Sequence, residues 1–277
     1  MLSSSESTGT ATLFIATPTT NGIMLSDYVG SLARMIAHLH ARGIGTDYRT
    51  IDGPNLVMQR DMLAQAFLES SATHLLFIDS DMAFEAGLAE TLLSFGKPVV
   101  GTIYAKRQLD LKRLKELIPT HGFDHALALA HDWNVRFLRP QLEVRGGLCK
   151  VEGIGFGFTL IERACFEELA LGGDCPSYAS PLTGGRLRAF FREISADQGE
   201  RLDLDYSFCK RWIQRGNDVW AFVDADIRHV GDFRYGVPFA AYLAAIQAKA
   251  PVGPDGKASG TAAEPGGLPA QADGAGL

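Results

Sequence analysis

The chain has 277 residues, 46% of them hydrophobic, and its 26 Lys plus Arg against 32 Asp plus Glu give a formal charge of −6. That is the balance of a globular protein able to build a core without disulfide or metal staples, and its mild acidity argues against nucleic-acid binding by bulk charge. Collagen, coiled-coil and wholly disordered classes do not fit it, and no apolar run reaches the ~20 residues of a membrane span.

Residues 1–10 are polar, with no basic start and no apolar segment of a secretory signal, so they read as a flexible tail on a cytoplasmic chain. Residues 12–17 (TLFIAT) form a short apolar run stopped by Pro18, the pattern of a buried strand. Leu25, Val29, Leu32, Ile36 and Leu39 follow at helical spacing, with Gly43 where a helix would stop. Residues 47–52 alternate as a second strand, 58–70 predict a helix, and 74–79 (HLLFID) predict a third strand. A helix over 85–95 and a strand over 98–104 complete a βαβαβαβ order, which implies a parallel sheet with helices on both faces.

The second half is less regular. Residues 107–118 predict an amphipathic helix, 146–161 two strands around a Gly cluster, and 163–169 a short helix. A strand over 187–191, a helix over 203–215 ended by Gly216, and a strand over 219–223 follow. The apolar stretch 239–246 lies between Pro238 and Gln247. Residues 251–277 are Gly, Ala and Pro with almost no large apolar side chains, and read as disordered. The expectation is one domain over 11–250, a nucleotide-binding half at 11–105 and a mixed α/β half at 106–250, sharing one sheet. Cys149, Cys165, Cys175 and Cys209 contain no CxxC pair and read as inert buried thiols.

The strongest chemical signal is residues 77–82 (FIDSDM), where an apolar strand runs straight into Asp79 and Asp81. Ligands of parallel α/β sheets bind at the carboxyl ends of strands. Two carboxylates there are costly unless a cation joins them. Hard oxygen donors suit Mg²⁺ or Mn²⁺, and such an ion can neutralise a departing diphosphate. The plain alternative is a polar turn.

There is no Walker loop, and residues 153–158 (GIGFGF) miss the dinucleotide fingerprint because the third glycine falls one position early. Those glycines serve either close backbone packing or close approach of a ligand. Residues 203–206 (DLDY) open a predicted helix, where Asp caps the helix or acts as a general base. In residues 224–231 (DADIRHVG), Arg228 is a candidate phosphate partner and His229 a candidate metal ligand, against a structural role for a lone His.

Taken in order, TLFIATPT, NLVMQRDMLAQAFL, THLLFIDSDMAF, KPVVGTIYAKR, VEGIGFGFTLIERACFEEL, LDYSFCKRW and VWAFVDADIRHVG resemble a GT-A glycosyltransferase of the family 2 type, over residues 12–236. The resemblance implies a Rossmann-like α/β fold with a mostly parallel central sheet, helices on both faces and a mixed α/β acceptor-side half. It implies that Asp79 and Asp81 hold a divalent metal (Mn²⁺ or Mg²⁺) on a nucleotide-diphosphate sugar donor, with His229 completing the metal shell. Thr17 and Pro18 would sit beside the nucleotide, Asp52 near its base or ribose, and Arg60 within reach of the diphosphate.

Asp205 would be the catalytic base of an inverting transfer to a glycan or lipid-linked acceptor. The family pairs Glu with that Asp; here Leu204 precedes it and Asp203 lies one position further back, so both aspartates stand as candidates, with Asp205 taken first. The acceptor pocket would form around Lys106, Arg107, 153–158 and Trp212. The alternatives are a sugar-1-phosphate nucleotidyltransferase, whose Gly-rich, Arg-containing loop after the first strand is missing from residues 17–22 (TPTTNG), and a non-catalytic nucleotide-sugar-binding module. Lys106, Arg107, Lys112, Arg113 and Lys115 accompany Leu111, Leu114 and Ile118 on one predicted helix. One reading is peripheral contact with an anionic membrane; the plainer one is a solvated helix with its apolar side on the core.

Overall fold

The structure is a computed structural model that describes residues 11–138, 142–180, 182, 184–195, 199–231 and 234–248. The tails expected at 1–10 and 251–277 lie outside the described residues.

The first half alternates strands and helices: β1 (Thr12–Thr19), α1 (Ser26–Ala41), β2 (Gly45–Asp52), α2 (Leu56–Glu69), β3 (His74–Ile78), β4 (Met82–Phe84), α3 (Leu88–Ser94) and β5 (Val99–Thr102). The second half continues through β6 (Ala105–Leu109), α4 (Leu111–Leu129), β7 (His131–Trp133), β8 (Val135–Phe137), β9 (Leu148–Ile154), β10 (Phe158–Glu162) and α5 (Arg163–Leu171). It closes with β11 (Ser177–Ala179), β12 (Arg186–Arg188), α6 (Leu204–Gln214), β13 (Val219–Phe222), β14 (Ile227–Val230), β15 (Arg234–Tyr235) and α7 (Phe239–Gln247).

The central sheet has eight strands in the order β2-β1-β3-β10-β5-β13-β9-β8. β2, β1 and β3 run parallel to one another, as do β5 and β13, while β10 and β9 are antiparallel to both of their neighbours. Six strands therefore share one direction. Strands with both faces covered need apolar residues at successive positions rather than alternating ones, and residues 13–19 of β1 are all buried. Helices α1 and α3 cover one face, with Leu32, Met35, Leu39 and Leu92 against Leu76, Ile78 and Val100. Helices α2, α5, α6 and α7 cover the other, around Phe67, Phe166, Phe208 and Phe239. The expected class, a Rossmann-like α/β fold with a mostly parallel sheet and a mixed second half, is the one observed.

The strand order corrects one expectation. A βαβαβαβ run would set β5 beside β3, yet β10 lies between them. Two local features hold it there. Arg163, next after β10, donates to the carbonyls of Phe67, Leu68, Ser70 and Ala72, taking up acceptors that the end of α2 leaves open. In β5, Gly101 leaves room for Thr159 of β10, whose hydroxyl a Cβ at 101 would overlap.

Two boundaries also differ. Residues 107–109 are strand, and the helix starts only after Asp110, whose carboxylate accepts the Arg113 N–H at 2.9 Å. That helix runs past Pro119 to Leu129, broken at Gly122 (φ 70°, ψ 168°). The strand expected at 187–191 is the shorter β12, and residues 239–247, assigned no element from sequence, form α7 against α4. Among the described residues no helix is long and apolar enough to cross a membrane. All four cysteines are free and buried, and burial pushes the thiols up, to about 12 for Cys149 and Cys209 and about 11 for Cys175.

Asp61 on α2 is 1% exposed. Its carboxylate accepts the Phe191 N–H at 3.0 Å and the Tyr178 hydroxyl at 2.9 Å, which ties α2 to the β11–β12 hairpin. Burial outweighs those bonds and pushes the carboxyl up to about 7. Because the folded value lies above the ordinary one near 4, the fold keeps a proton that the unfolded chain releases. Its contribution is full below about pH 4 and is lost as pH rises towards 7. Asp61→Asn keeps one of the two acceptor oxygens and removes the titration. Urea unfolding across pH 4–7 is expected to show the wild type losing up to about 4 kcal/mol relative to the variant; parallel pH profiles would refute the assignment.

Candidate functional site

The carboxyl ends of β1, β2 and β3 open into a pocket of about 520 Å³. Pro18, Thr19, Asn21 and Ile23 wall it from the β1–α1 loop, and Pro54 and Leu56 from the start of α2. Asn55 starts that helix by accepting the Met58 N–H at 3.0 Å. Buried Gln59 locks the two walls together, donating to the carbonyls of Thr19 (2.5 Å) and Gly53 (2.8 Å).

The remaining wall is charged. Asp79, Ser80 and Asp81 form the turn between β3 and β4, joined by Arg107 of β6 and His229 of β14. β14 pairs antiparallel with β4, placing His229 opposite Met82, and the Val230 N–H donates to the Asp81 carbonyl at 2.8 Å. His229 Nε2 lies 3.1 Å and Arg107 Nη1 3.3 Å from the same oxygen, Asp81 Oδ2. The Tyr104 ring packs edge-on against the imidazole at 5.6 Å.

Behind this wall lies Arg60. Its side chain is 1% exposed and its guanidinium sits over the rings of Phe77 (5.4 Å) and Phe156 (5.5 Å). Nη2 reaches Asp79 Oδ1 at 3.1 Å, and Nη1 is ion-paired with Asp205 Oδ1. The second Asp205 oxygen accepts the Phe156 N–H at 2.8 Å. A buried charge is tolerable only when paired, and here one cation is ion-paired with two carboxylates from distant parts of the chain, while its Nε has no hydrogen-bond partner among the described residues. Asp79, Asp205 and Arg60 thus come together, with Arg60 inside the structure rather than on the pocket surface.

The other sequence candidates fall in three places. Pro18 lines the pocket, while Thr17 is buried with its hydroxyl bonded to that of Tyr28. Asp52 is exposed and accepts the Gly22 N–H (2.7 Å) and the Thr19 hydroxyl (3.2 Å), so it braces the β1–α1 loop. Asp203 caps α6, accepting the Tyr206 N–H at 2.9 Å, and Asp205 is the member of the pair that meets Arg60.

The glycine cluster is explained by the chain's own side chains. A Cβ at Gly153 would lie 2.6 Å from the Tyr206 ring, and one at Gly157 would overlap Tyr104, whose hydroxyl accepts the Gly157 N–H at 2.9 Å. These glycines serve packing. Sequence reasoning missed Tyr104 and Gln59, and it placed Arg107 on the acceptor side instead of beside Asp81. The one available signal for Arg107 was its position just past an apolar strand.

Among the described residues no group of three or more His, Cys, Asp or Glu side chains is placed to hold a metal ion. Asp81 and His229 form a two-donor pair on the pocket wall. His229 Nδ1 is buried without a hydrogen-bond partner among the described residues.

No family model and no curated protein matches the chain. Among solved structures it is similar to A197 from STIV, at 17% identity and a TM-score of 0.44, covering 83% of this chain and 91% of that one. It is similar to a UDP-glucose pyrophosphorylase complexed with UDP-glucose (8% identity, TM-score 0.41, 87% and 98% covered). It is also similar to a glycosyltransferase involved in glycosylation of the major capsid of PBCV-1 (11% identity, TM-score 0.31, 57% and 63% covered).

Removing Arg60 leaves the mostly buried Asp205 carboxylate without its cation, while Asp79 keeps the solvent of the pocket. Arg60→Ala is expected to cost about 3–5 kcal/mol in chemical denaturation. Adding Asp205→Asn to that variant should recover part of the loss. An Arg60→Ala protein as stable as the wild type would refute the pairing.

Proposed function

We propose that this chain is a GT-A glycosyltransferase of the family 2 type. It would act in the cytoplasm, moving a sugar from a nucleotide-diphosphate donor to a hydroxyl of a glycan or lipid-linked acceptor. The observation that carries this reading is the single charged wall at the strand ends, where Asp79, Asp81, Arg107 and His229 meet and Asp205 is tied to Asp79 through Arg60.

The pocket is divided for such a donor. Pro18, Ile23, Pro54 and Leu56 offer apolar walls to a nucleoside, and the carboxylates and Arg107 face a diphosphate. Asp81 and His229 would hold a divalent ion, with Asp79 on the same turn. Two protein donors fit Mg²⁺ or Mn²⁺ bound jointly with a phosphate substrate, because such ions keep several waters and are completed by phosphate oxygens. When bound, the ion would neutralise charge on the departing diphosphate. Arg107, half-exposed in the pocket, contributes a second positive group toward the phosphates. Arg60 aligns Asp79 and Asp205 and contacts no ligand itself. For Asp205 to act as the base, one of its oxygens must leave Arg60 or the Phe156 N–H and take the acceptor hydroxyl's proton while the hydroxyl oxygen attacks the anomeric carbon from the side opposite the diphosphate, which inverts that carbon.

Calorimetry with UDP, GDP, CDP and dTDP, each with and without Mn²⁺, tests the donor site. One nucleoside diphosphate is expected to bind in the presence of Mn²⁺, with affinity reduced about tenfold or more in Asp81→Ala. No binding of any of the four by the folded protein would overturn the reading. Formation of a nucleotide sugar from a sugar 1-phosphate and a nucleoside triphosphate would favour the nucleotidyltransferase instead.

A further inference from the structure

Helix α4 has apolar side chains both on the core and on its outer face. Leu117 packs on the core and Leu114 is half-buried. Leu111 and Ile118 are 69% and 39% exposed. Seven positions apart, they lie within about 20° of each other around the helix. Lys115 falls about 40° from Leu111 and Lys112 about 100° from it, and both lysines are exposed. Past the break at Gly122, Phe123 is 58% exposed.

Asp110 is occupied as the helix cap and Asp124 follows the break, while exposed Glu116 sits about 140° round from Leu111, about 40° beyond Lys112 and about 100° from Lys115. The whole chain is acidic, so an anionic surface repels most of the molecule. On this face Lys115, with Lys112 further round, stands to one side of the exposed apolar side chains. A bilayer takes both kinds of group at once, lysines at the phosphates and apolar tips at the acyl boundary.

We propose that the outer face of α4 docks on an anionic lipid bilayer. Leu111 and Ile118 enter the headgroup boundary, and Lys112 and Lys115 meet lipid phosphates. Arg107 in the pocket and Leu111 on the helix are four positions apart, at most about 14 Å of chain. Docking would therefore set the pocket close to the membrane surface. The inference goes beyond the donor-site reading and does not depend on it.

Sedimentation of the full chain with vesicles tests it, using phosphatidylcholine alone and phosphatidylcholine mixed with phosphatidylglycerol. Binding is expected with the anionic vesicles only, and to fall several-fold as salt rises toward roughly 1 M. The Lys112→Gln/Lys115→Gln and Leu111→Ser/Ile118→Ser variants should each bind about tenfold more weakly. Both change surface side chains, so their melting temperatures should match the wild type, and nucleoside-diphosphate calorimetry should be unaltered by either. Recovery in the supernatant with both vesicle types would overturn the proposal. Anionic-vesicle binding that neither double variant weakens would overturn it too, by placing the contact on another surface.

Discussion

One buried guanidinium organises this molecule. Arg60 lies over two phenylalanine rings that stack on each other, one from β3 and one from the loop before β10, and holds Asp79 and Asp205 together. Its desolvation is expensive, so the surrounding structure has to deliver both carboxylates and both rings to within contact. That requirement explains why β3, the β9–β10 connection and α6 converge where they do. The aromatic cluster beyond it (Phe156, Phe191 and Phe208, with centroids 5.3–5.8 Å apart) excludes water from the same spot. Each such ring pair adds about 0.5–1.5 kcal/mol beyond its buried area.

The two sides of the site are built on different terms. The loops around the pocket are braced by hydrogen bonds rather than ion pairs: Gln59 to two carbonyls, Asp52 to a backbone N–H, Thr17 to Tyr28. The charged wall is braced by ions that share partners, with Asp81 meeting both Arg107 and His229.

Much of the first half was legible in the sequence because β1 and β3 open on continuous apolar runs closed by Pro18 and Asp79. Residues 74–81 announce both a buried strand and the acidic turn that ends it. The insertion of β10 was not legible, since strand order depends on Arg163 finding the end of α2 and on Thr159 fitting over Gly101, both matters of tertiary contact. The glycine cluster looked equally suited to a ligand or to packing, and only the position of Tyr104 separates the two. The acidic pair at 203–205 divided as its chemistry allows, one carboxylate on the helix end and one on the buried arginine. The start of α4 was misjudged because residues 106–109 carry charge at a spacing that helix and edge strand share.

The place of β10 has a consequence for how the protein is made. β3 has residues buried on both faces, and its ladder partner on one side arrives about 80 residues later, with Ile78 opposite Phe158. At roughly 5–20 residues per second of synthesis, that edge stays open for about 4–16 s. His229 follows Asp81 by 148 residues, so the acidic turn emerges long before its partner. An unpaired apolar edge is a template for other strands, and the nascent chain has to be kept from meeting a second copy of itself until the antiparallel strand slots in.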